Sequence, residues 1–353
     1  MRRAIYATTL LLFIPAYAGI YLGGGWAWFV PLFTFGFVPL LELLEVGSTF
    51  NLDDAQEEAA LADPFYDGVL FTAVAMQWFG LLSYLWMVSQ GTMTWPHLLG
   101  ATASVGIMCG AFGINIGHEL GHRRQSLHQN AAKLMLTSTL YTHFFIEHNR
   151  GHHRRVATLD DPASAWRGQT VYAFWLRSIP GGWRSAWELE NQRVTRKGLA
   201  WWSWQNEMVR ITAFQAGAMT LVGVILGPLA LAAWCLVSLL GAINLETVNY
   251  IEHYGLARER TERGNYERVK PHHSWNSNRP LGRILLFEVT RHSDHHANAT
   301  RNYQILRHFD EAPELPYGYP ACMLLSLVPP LFHRVMEPAL DAWEARYRTK
   351  AAA

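Results

Sequence analysis

Four groups of histidine carry the spacing of metal ligands. They are HELGH at 118–122, EHNRGHH at 147–153, NYIEHYG at 249–255 and RHSDHH at 291–296. Together they hold nine of the 16 histidines. Residues three or four apart share one helix face. On that rule His118 pairs with His122, His148 with His152, and His292 with both His295 and His296. The second and fourth groups each add an adjacent imidazole, so that His153 joins His152 and His296 joins His295. In the third group Glu246, Asn249 and His253 fall on one face, and Gly255 ends the helix.

HELGH alone is the zinc-protease spacing, with Glu119 as general base. That chemistry needs a third ligand and leaves six clustered histidines without a role. Imidazole binds iron, zinc, copper and nickel. One catalytic zinc takes about three protein ligands, whereas nine imidazoles suit two metals. Iron has the redox steps that O2 activation needs and zinc lacks. The spacing therefore points to a two-metal oxidising centre poor in carboxylate ligands. A zinc protease or a membrane metal transporter is a remote alternative; a transporter would place its ligands midway along membrane spans. Ligating imidazoles pass their other N–H to a carboxylate or carbonyl. Candidates for that role are Glu119, Glu147, Asp160, Asp161, Glu246, Glu252 and Asp294, with Asn249 beside Glu246. His97, His128, His143, His308 and His333 lack the repeated pattern. His272 and His273 also lack it, but their adjacency leaves a peripheral role open.

Apolar helices must position these groups. Half of the 353 residues are hydrophobic and only 16% are charged. A bilayer takes about 20 apolar residues as helix. Spans are expected at about 4–22, 26–44, 68–89, 98–117, 211–226 and 228–249, the last two divided by Gly227 and Pro228. Trp201, Trp202 and Trp204 form an expected interfacial belt before the fifth. The fourth span should run on into His118 and His122. Leu134–Ile146 and Met323–Phe332 are too short to cross and are expected as helices at the membrane surface or packed under the bundle, with Pro329 and Pro330 near the end of the second. The tail 341–353 is polar and expected to be loose at its end. The three tight turns contain no Lys or Arg, so the positive-inside rule puts both termini and all four histidine groups in the cytoplasm. The expected fold is an all-α integral membrane protein of six transmembrane helices. Its histidine-rich catalytic parts, 118–208 and 250–353, are cytoplasmic.

Three cysteines without a CxxC exclude a disulfide scaffold and a four-Cys iron domain. A net charge of +1 gives no case for nucleic acid. A site beneath an apolar bundle suits a long apolar substrate that enters from the bilayer. Phe33, Phe35, Trp78 and Phe79 are candidate tunnel residues. Arg123, Arg124, Arg154 and Arg155 flank the histidines and offer a basic docking surface for an acidic electron carrier.

The four histidine motifs, with DDPASAWRG at 160–168 and LRHFDEAPELPYGYP at 306–320, resemble those of the integral-membrane alkane monooxygenases. These are relatives of xylene monooxygenase and of the membrane fatty acid desaturases. The likeness runs from the first span to about residue 335, and NYIEHYG leans toward hydrocarbon hydroxylases. It implies one catalytic domain over 1–353 in the bacterial inner (plasma) membrane. It further implies a di-iron centre held by His118, His122, His148, His152, His153, His253, His292, His295 and His296. The implied reaction is O2-dependent hydroxylation of the terminal methyl of an n-alkane to a primary alcohol, a step in hydrocarbon degradation. Electrons would pass from NADH through a rubredoxin reductase to a separate rubredoxin, since this chain lacks the cysteines of a fused one. A methyl-aromatic or fatty acyl substrate, hydroxylated or desaturated, is the alternative within the same group.

Overall fold

The computed structural model describes residues 3–352, with side chains described as far as Tyr347. Its regular elements are helices joined by loops. Among the described residues the only strand-like pairings are two isolated bridges, Arg260 with Tyr266 and Asn276 with Glu314.

Among the described residues, five helices are long and apolar enough to cross a membrane: Ala4–Leu22, Gly24–Leu44, Phe65–Ser89, Trp95–Gly121 and Glu207–His253. The fourth does run on past its apolar part, and His118 lies within it. Outward side chains such as Leu22, Leu44, Val224 and Ile225 are exposed, as expected of surfaces that meet hydrocarbon rather than water. Trp201, Trp202 and Trp204 are exposed as well.

The fifth helix is 47 residues long, and its backbone leaves helical geometry at Gly227, with φ +87°. A side chain disfavours that conformation, and the following Pro228 donates no N–H, so a new helix starts there at no cost. A Cβ built on Gly223 would lie 3.3 Å from Leu231 Cδ2. In a straight helix eight residues separate such positions by about 12 Å. The chain therefore turns back on itself at Gly227, where the sequence placed a division.

The chain forms two compact units. The first comprises 1–33, 64–151 and 179–245. Its core joins Ile20, Leu81, Tyr84, Leu85 and Val105 to Ala230, Trp234 and Val237. Backbones approach closely here: a Cβ on Gly241 would sit 2.8 Å from Cys109 Cβ. Small residues are what allow such contact between helices in a membrane. His97, outside the ligand pattern, acts as a cap, its Nε2 lying 2.9 Å from the Gly19 carbonyl and 3.0 Å from that of Ile20.

The second unit comprises 34–63, 152–178 and 246–353. Its core gathers Phe174, Tyr250, Tyr254, Trp275, Tyr319, Phe332 and Met336. The arginines of its loops are tied to backbone: Arg291 donates to the carbonyls of Leu306 and Phe50 at 2.6 and 2.8 Å.

Three expectations need correction. Leu134–Ile146 is not one helix: Ser126–Ser138 ends it, Leu140 has φ +50°, and a new turn starts at Phe144. Met323–Phe332 is likewise divided between Tyr319–Ser326 and a helix that begins at Pro329. Proline is well placed at a helix start, where its missing N–H costs nothing. That last helix continues to Ala352, so the polar tail is helical, apart from Ala353, which lies outside the described residues.

Gly241→Val pushes a branched side chain into Cys109. Overpacking of this kind costs about 1–3 kcal/mol. The thermal unfolding midpoint of the protein in detergent should fall; an unchanged midpoint would show that the two helices do not pack as described.

Candidate metal centre

In the first unit His118 lies in the last turn of an apolar helix, and His122 is its C-cap, its N–H donating to the Glu119 carbonyl at 3.3 Å. The short helix Phe144–Glu147 delivers His148. The three rings meet edge to face, with centroids 4.8 Å apart for His118 and His122, 4.4 Å for His118 and His148, and 5.1 Å for His122 and His148. Phe144 stacks on His148 at 4.7 Å. Glu119 is ion-paired at 2.9 Å with Arg123, which also reaches Asp67 at 3.4 Å. A carboxylate committed to a guanidinium is a poor general base, which counts against the protease chemistry of HELGH.

Polar anchors hold the His148 segment. Ser185 donates to Glu147 at 3.2 Å. Arg150 pairs with the fully buried Glu190 and, at 2.9 Å, with Glu207, which Lys133 also reaches at 2.6 Å. Burial alone would raise the Glu190 carboxyl, but Arg193, the Glu207 backbone N–H and Arg150 outweigh it and hold it below the ordinary range.

In the second unit four imidazoles converge. His152 Nε2 lies 3.2 Å from His296 Nε2, His296 Nε2 lies 2.9 Å from His292 Nε2, and His292 Nε2 lies 3.2 Å from His253 Nε2. All four side chains are buried. The His153 ring lies 4.7 Å from that of His295 and 4.6 Å from that of His296. His152 Nδ1 lies 2.8 Å from Asp161 Oδ2. Burial would raise the Asp161 carboxyl, but His152 and Ser164 hold it below its ordinary range. As an ionised acceptor, Asp161 takes the Nδ1 proton of His152 and leaves the Nε2 lone pair facing the other rings. His296 is held well below the ordinary imidazole range, by burial first and by its neighbouring histidines next. Neutral imidazole is the ligating form. A carboxylate joins the group: Glu252 Oε2 lies 3.2 Å from His292 Nε2, and Tyr319 donates to Glu252 Oε1 at 2.8 Å. Nitrogen donors at this spacing fit iron, zinc or copper and not magnesium or calcium.

The spacing rule put His148 beside His152. The stretch His148–His152 is instead π-helical, and the wider turn sends the two rings to different companions. His148 meets His118 and His122, whereas His152 meets His253 and His296. Glu246 and Asn249 do share the expected face: Asn249 donates to Glu246 at 3.3 Å, and Ser178 donates to the same oxygen. Asp294 accepts from Asn298, from the Arg307 backbone N–H and from Arg301 at 2.7, 2.7 and 3.4 Å, so it fixes the following loop. Asp160 points outward while Asp161 points in. Arg123 is buried and paired, and so is not part of a docking surface, whereas Arg124 and Arg154 are exposed. The proposed tunnel residues divide. Phe33 stacks on Phe29, Phe35 packs on the Tyr250 core, Trp78 donates to the Leu134 carbonyl and Phe79 is exposed. Ser178 and Glu190 are lone polar residues in an amphipathic helix and carry no spacing signal, while Ser164 and Tyr319 lie within the 160–168 and 306–320 stretches without a spacing signal of their own.

The fatty acid desaturase family matches residues 93–325. An alkane 1-monooxygenase of Pseudomonas putida is 40% identical over 96% of this chain and 86% of its own length. Alkane 1-monooxygenase 1 of Alcanivorax borkumensis is 37% identical over 97% of this chain and 86% of its own. The xylene/toluene monooxygenase hydroxylase component XylM of Pseudomonas putida is 30% identical over 94% and 87%.

The Glu190 network sets an acid limit on stability. A carboxyl held below its ordinary value contributes fully above the unfolded pKa of about 4.3 and loses that contribution as pH falls through the folded value. Glu190→Gln should therefore be less stable near neutrality and show a shallower acid limb. An acid limb that coincides with the parent's would remove Glu190 from this role.

Proposed function

The chain belongs to the alkane 1-monooxygenase family, within the wider fatty acid desaturase family, and from that premise we propose that it hydroxylates the terminal methyl of medium- or long-chain n-alkanes with O2 to give primary alcohols. The observation that carries this reading is the convergence of the Nε2 atoms of His152, His253, His292 and His296. We assign two iron ions to the nine histidines His118, His122, His148, His152, His153, His253, His292, His295 and His296. When bound, iron supplies the redox steps of O2 activation.

The chain's own residues do the remaining work. Asp161 orients His152 and keeps its proton on Nδ1. Tyr319 holds Glu252 beside His292. Burial of all four rings keeps bulk water from the oxidising chemistry. A terminal C–H is stronger than an internal one, so choice of the chain end must come from positioning. Each methylene contributes only about 1–3 kcal/mol to discrimination in an apolar pocket, so several chain lengths should be accepted. The alkane monooxygenase relatives are more similar to this chain than XylM, at 40% against 30% identity, which favours an alkane over a methyl-aromatic substrate.

The reading extends to the setting. The chain reversal at Gly227 supports six crossings, and the absence of Lys and Arg from the three tight turns supports cytoplasmic termini and a cytoplasmic active site in the bacterial inner membrane. The whole chain acts as one catalytic domain. NADH reduces a rubredoxin reductase, and a separate rubredoxin delivers the electrons.

Membranes that carry this chain, given octane, NADH, reductase, rubredoxin and O2 labelled with heavy oxygen, should yield labelled 1-octanol and none when rubredoxin is left out. Oxidation at internal carbons, unlabelled alcohol, or no alcohol from any alkane would refute the proposal.

A further inference from the structure

A second set of ligand-type side chains lies outside the nine histidines, in the second unit. Residues 259–267 fold back on themselves. Thr261 N–H donates to the Asn265 carbonyl at 2.7 Å, and Glu267 N–H donates to that of Glu259 at 3.0 Å. Pro271–His273 then makes a single turn of 3-10 helix. Together the fold-back and the turn gather Glu267, His272 and His273, whose ligand atoms all lie within 4.8 Å of one another.

The hydrogen bonding of this group is incomplete. His272 is 5% exposed, and its Nε2 is buried without a hydrogen-bond partner. His273 Nδ1 accepts the Lys270 backbone N–H at 3.0 Å. Its proton is therefore on Nε2, which lies 3.2 Å from Glu267 Oε1 and donates to it. Lys270 Nζ holds the other carboxylate oxygen, Oε2, at 2.6 Å. One imidazole nitrogen is orphaned, and one carboxylate oxygen lies beside the second ring, which ligates by releasing its Nε2 proton to solvent as the metal binds, an imidazolate whose Nδ1 still accepts from Lys270.

We propose that Glu267, His272 and His273 bind a divalent transition-metal ion of the zinc class, at a site separate from the nine histidines. Two imidazole nitrogens and one carboxylate oxygen are a zinc-type donor set, and nitrogen donors disfavour magnesium and calcium. Zinc binds such atoms at about 2.0–2.2 Å, which puts tetrahedral donors on the order of 3.3 Å apart. The three ligand atoms need only small side-chain rotations to close on an ion. Lys270 neutralises Oε2, and Oε1, which also accepts the Glu259 backbone N–H at 3.3 Å, is the oxygen turned to the metal. Tyr347 covers the outer side, its ring 4.5 Å from that of His272.

The position gives the ion a structural role. The helix His292–Ala297 packs against the turn Pro271–His273. Two residues after His273, Trp275 donates its backbone N–H to the Glu252 carbonyl at 2.8 Å and its indole N–H to the Tyr254 carbonyl at 2.9 Å. The ion would thus pin the 259–267 fold-back to the turn that supports His253 and His292. It takes no part in the oxidation, and the site does not depend on which metals the nine histidines hold.

The test is metal content by plasma mass spectrometry, on full-length protein grown with iron and zinc and purified without chelator. The parent should carry one zinc equivalent that His272→Gln and Glu267→Gln both lose, with iron unchanged. Equal zinc in parent and variants would overturn the proposal. A second measurement needs no variant. Cobalt(II) added to parent grown with iron but without zinc should give ligand-field absorption bands that zinc removes, and their absence would also overturn it.

Discussion

Four imidazole nitrogens crowded together in a buried space are the constraint on which the rest of the second unit depends. His152, His296, His292 and His253 approach in sequence at 3.2, 2.9 and 3.2 Å through their Nε2 atoms. Asp161 takes the one proton of neutral His152 at Nδ1, so that Nε2 can only accept. Protonating the group instead would bury several positive charges side by side, which burial and mutual repulsion both oppose. A cation at the point of convergence satisfies the lone pairs and also answers Glu252, the carboxylate at His292. Without an ion the arrangement is hard to hold; with one, it is a ligand set.

The surrounding structure holds these rings in place. Polar residues that would be costly inside an apolar bundle are each bound to a ring or to a segment that carries one: Asp161 to His152, Tyr319 to Glu252, Arg150 to Glu190. Apolar surface faces outward on the long helices, and glycines such as Gly241 let them pack closely where they meet. Two of the departures from α-helix lie where the chain aims a histidine. The segment Cys109–Ile114 is π-helical just ahead of His118, and His148–His152 is π-helical through its own group. Such widened turns are frequent at functional sites because they re-aim side chains without ending a helix.

Much of this was legible in the sequence. Long apolar runs announce membrane helices because a bilayer demands length, and four spans lie close to where hydropathy placed them. Gly227 with Pro228 marked the chain reversal for a backbone reason that any sequence shows. The nine histidines stood out through repeated spacing. Their grouping was less legible, since the i and i+4 rule assumes an α-helix and the 148–152 turn is not one. The helix Val171–Thr195 contains no long apolar run. Its buried stripe, Val171, Phe174, Ser178, Ala186, Glu190 and Val194, mixes apolar with polar residues, so hydropathy alone does not reveal it. Glu190 and Ser178 are inside because of their partners, and partners distant in sequence leave no local trace.

The central claim is that the clustered imidazoles hold two iron ions. Its most direct test is metal content together with Mössbauer spectroscopy, on protein grown with isotopically enriched iron and purified from membranes in mild detergent without chelator. The account predicts two irons per chain, both in nitrogen-rich surroundings, in addition to any zinc at Glu267, His272 and His273. A single zinc with no iron, lost on substitution of His118 or His122, would contradict it and restore the hydrolytic reading of HELGH.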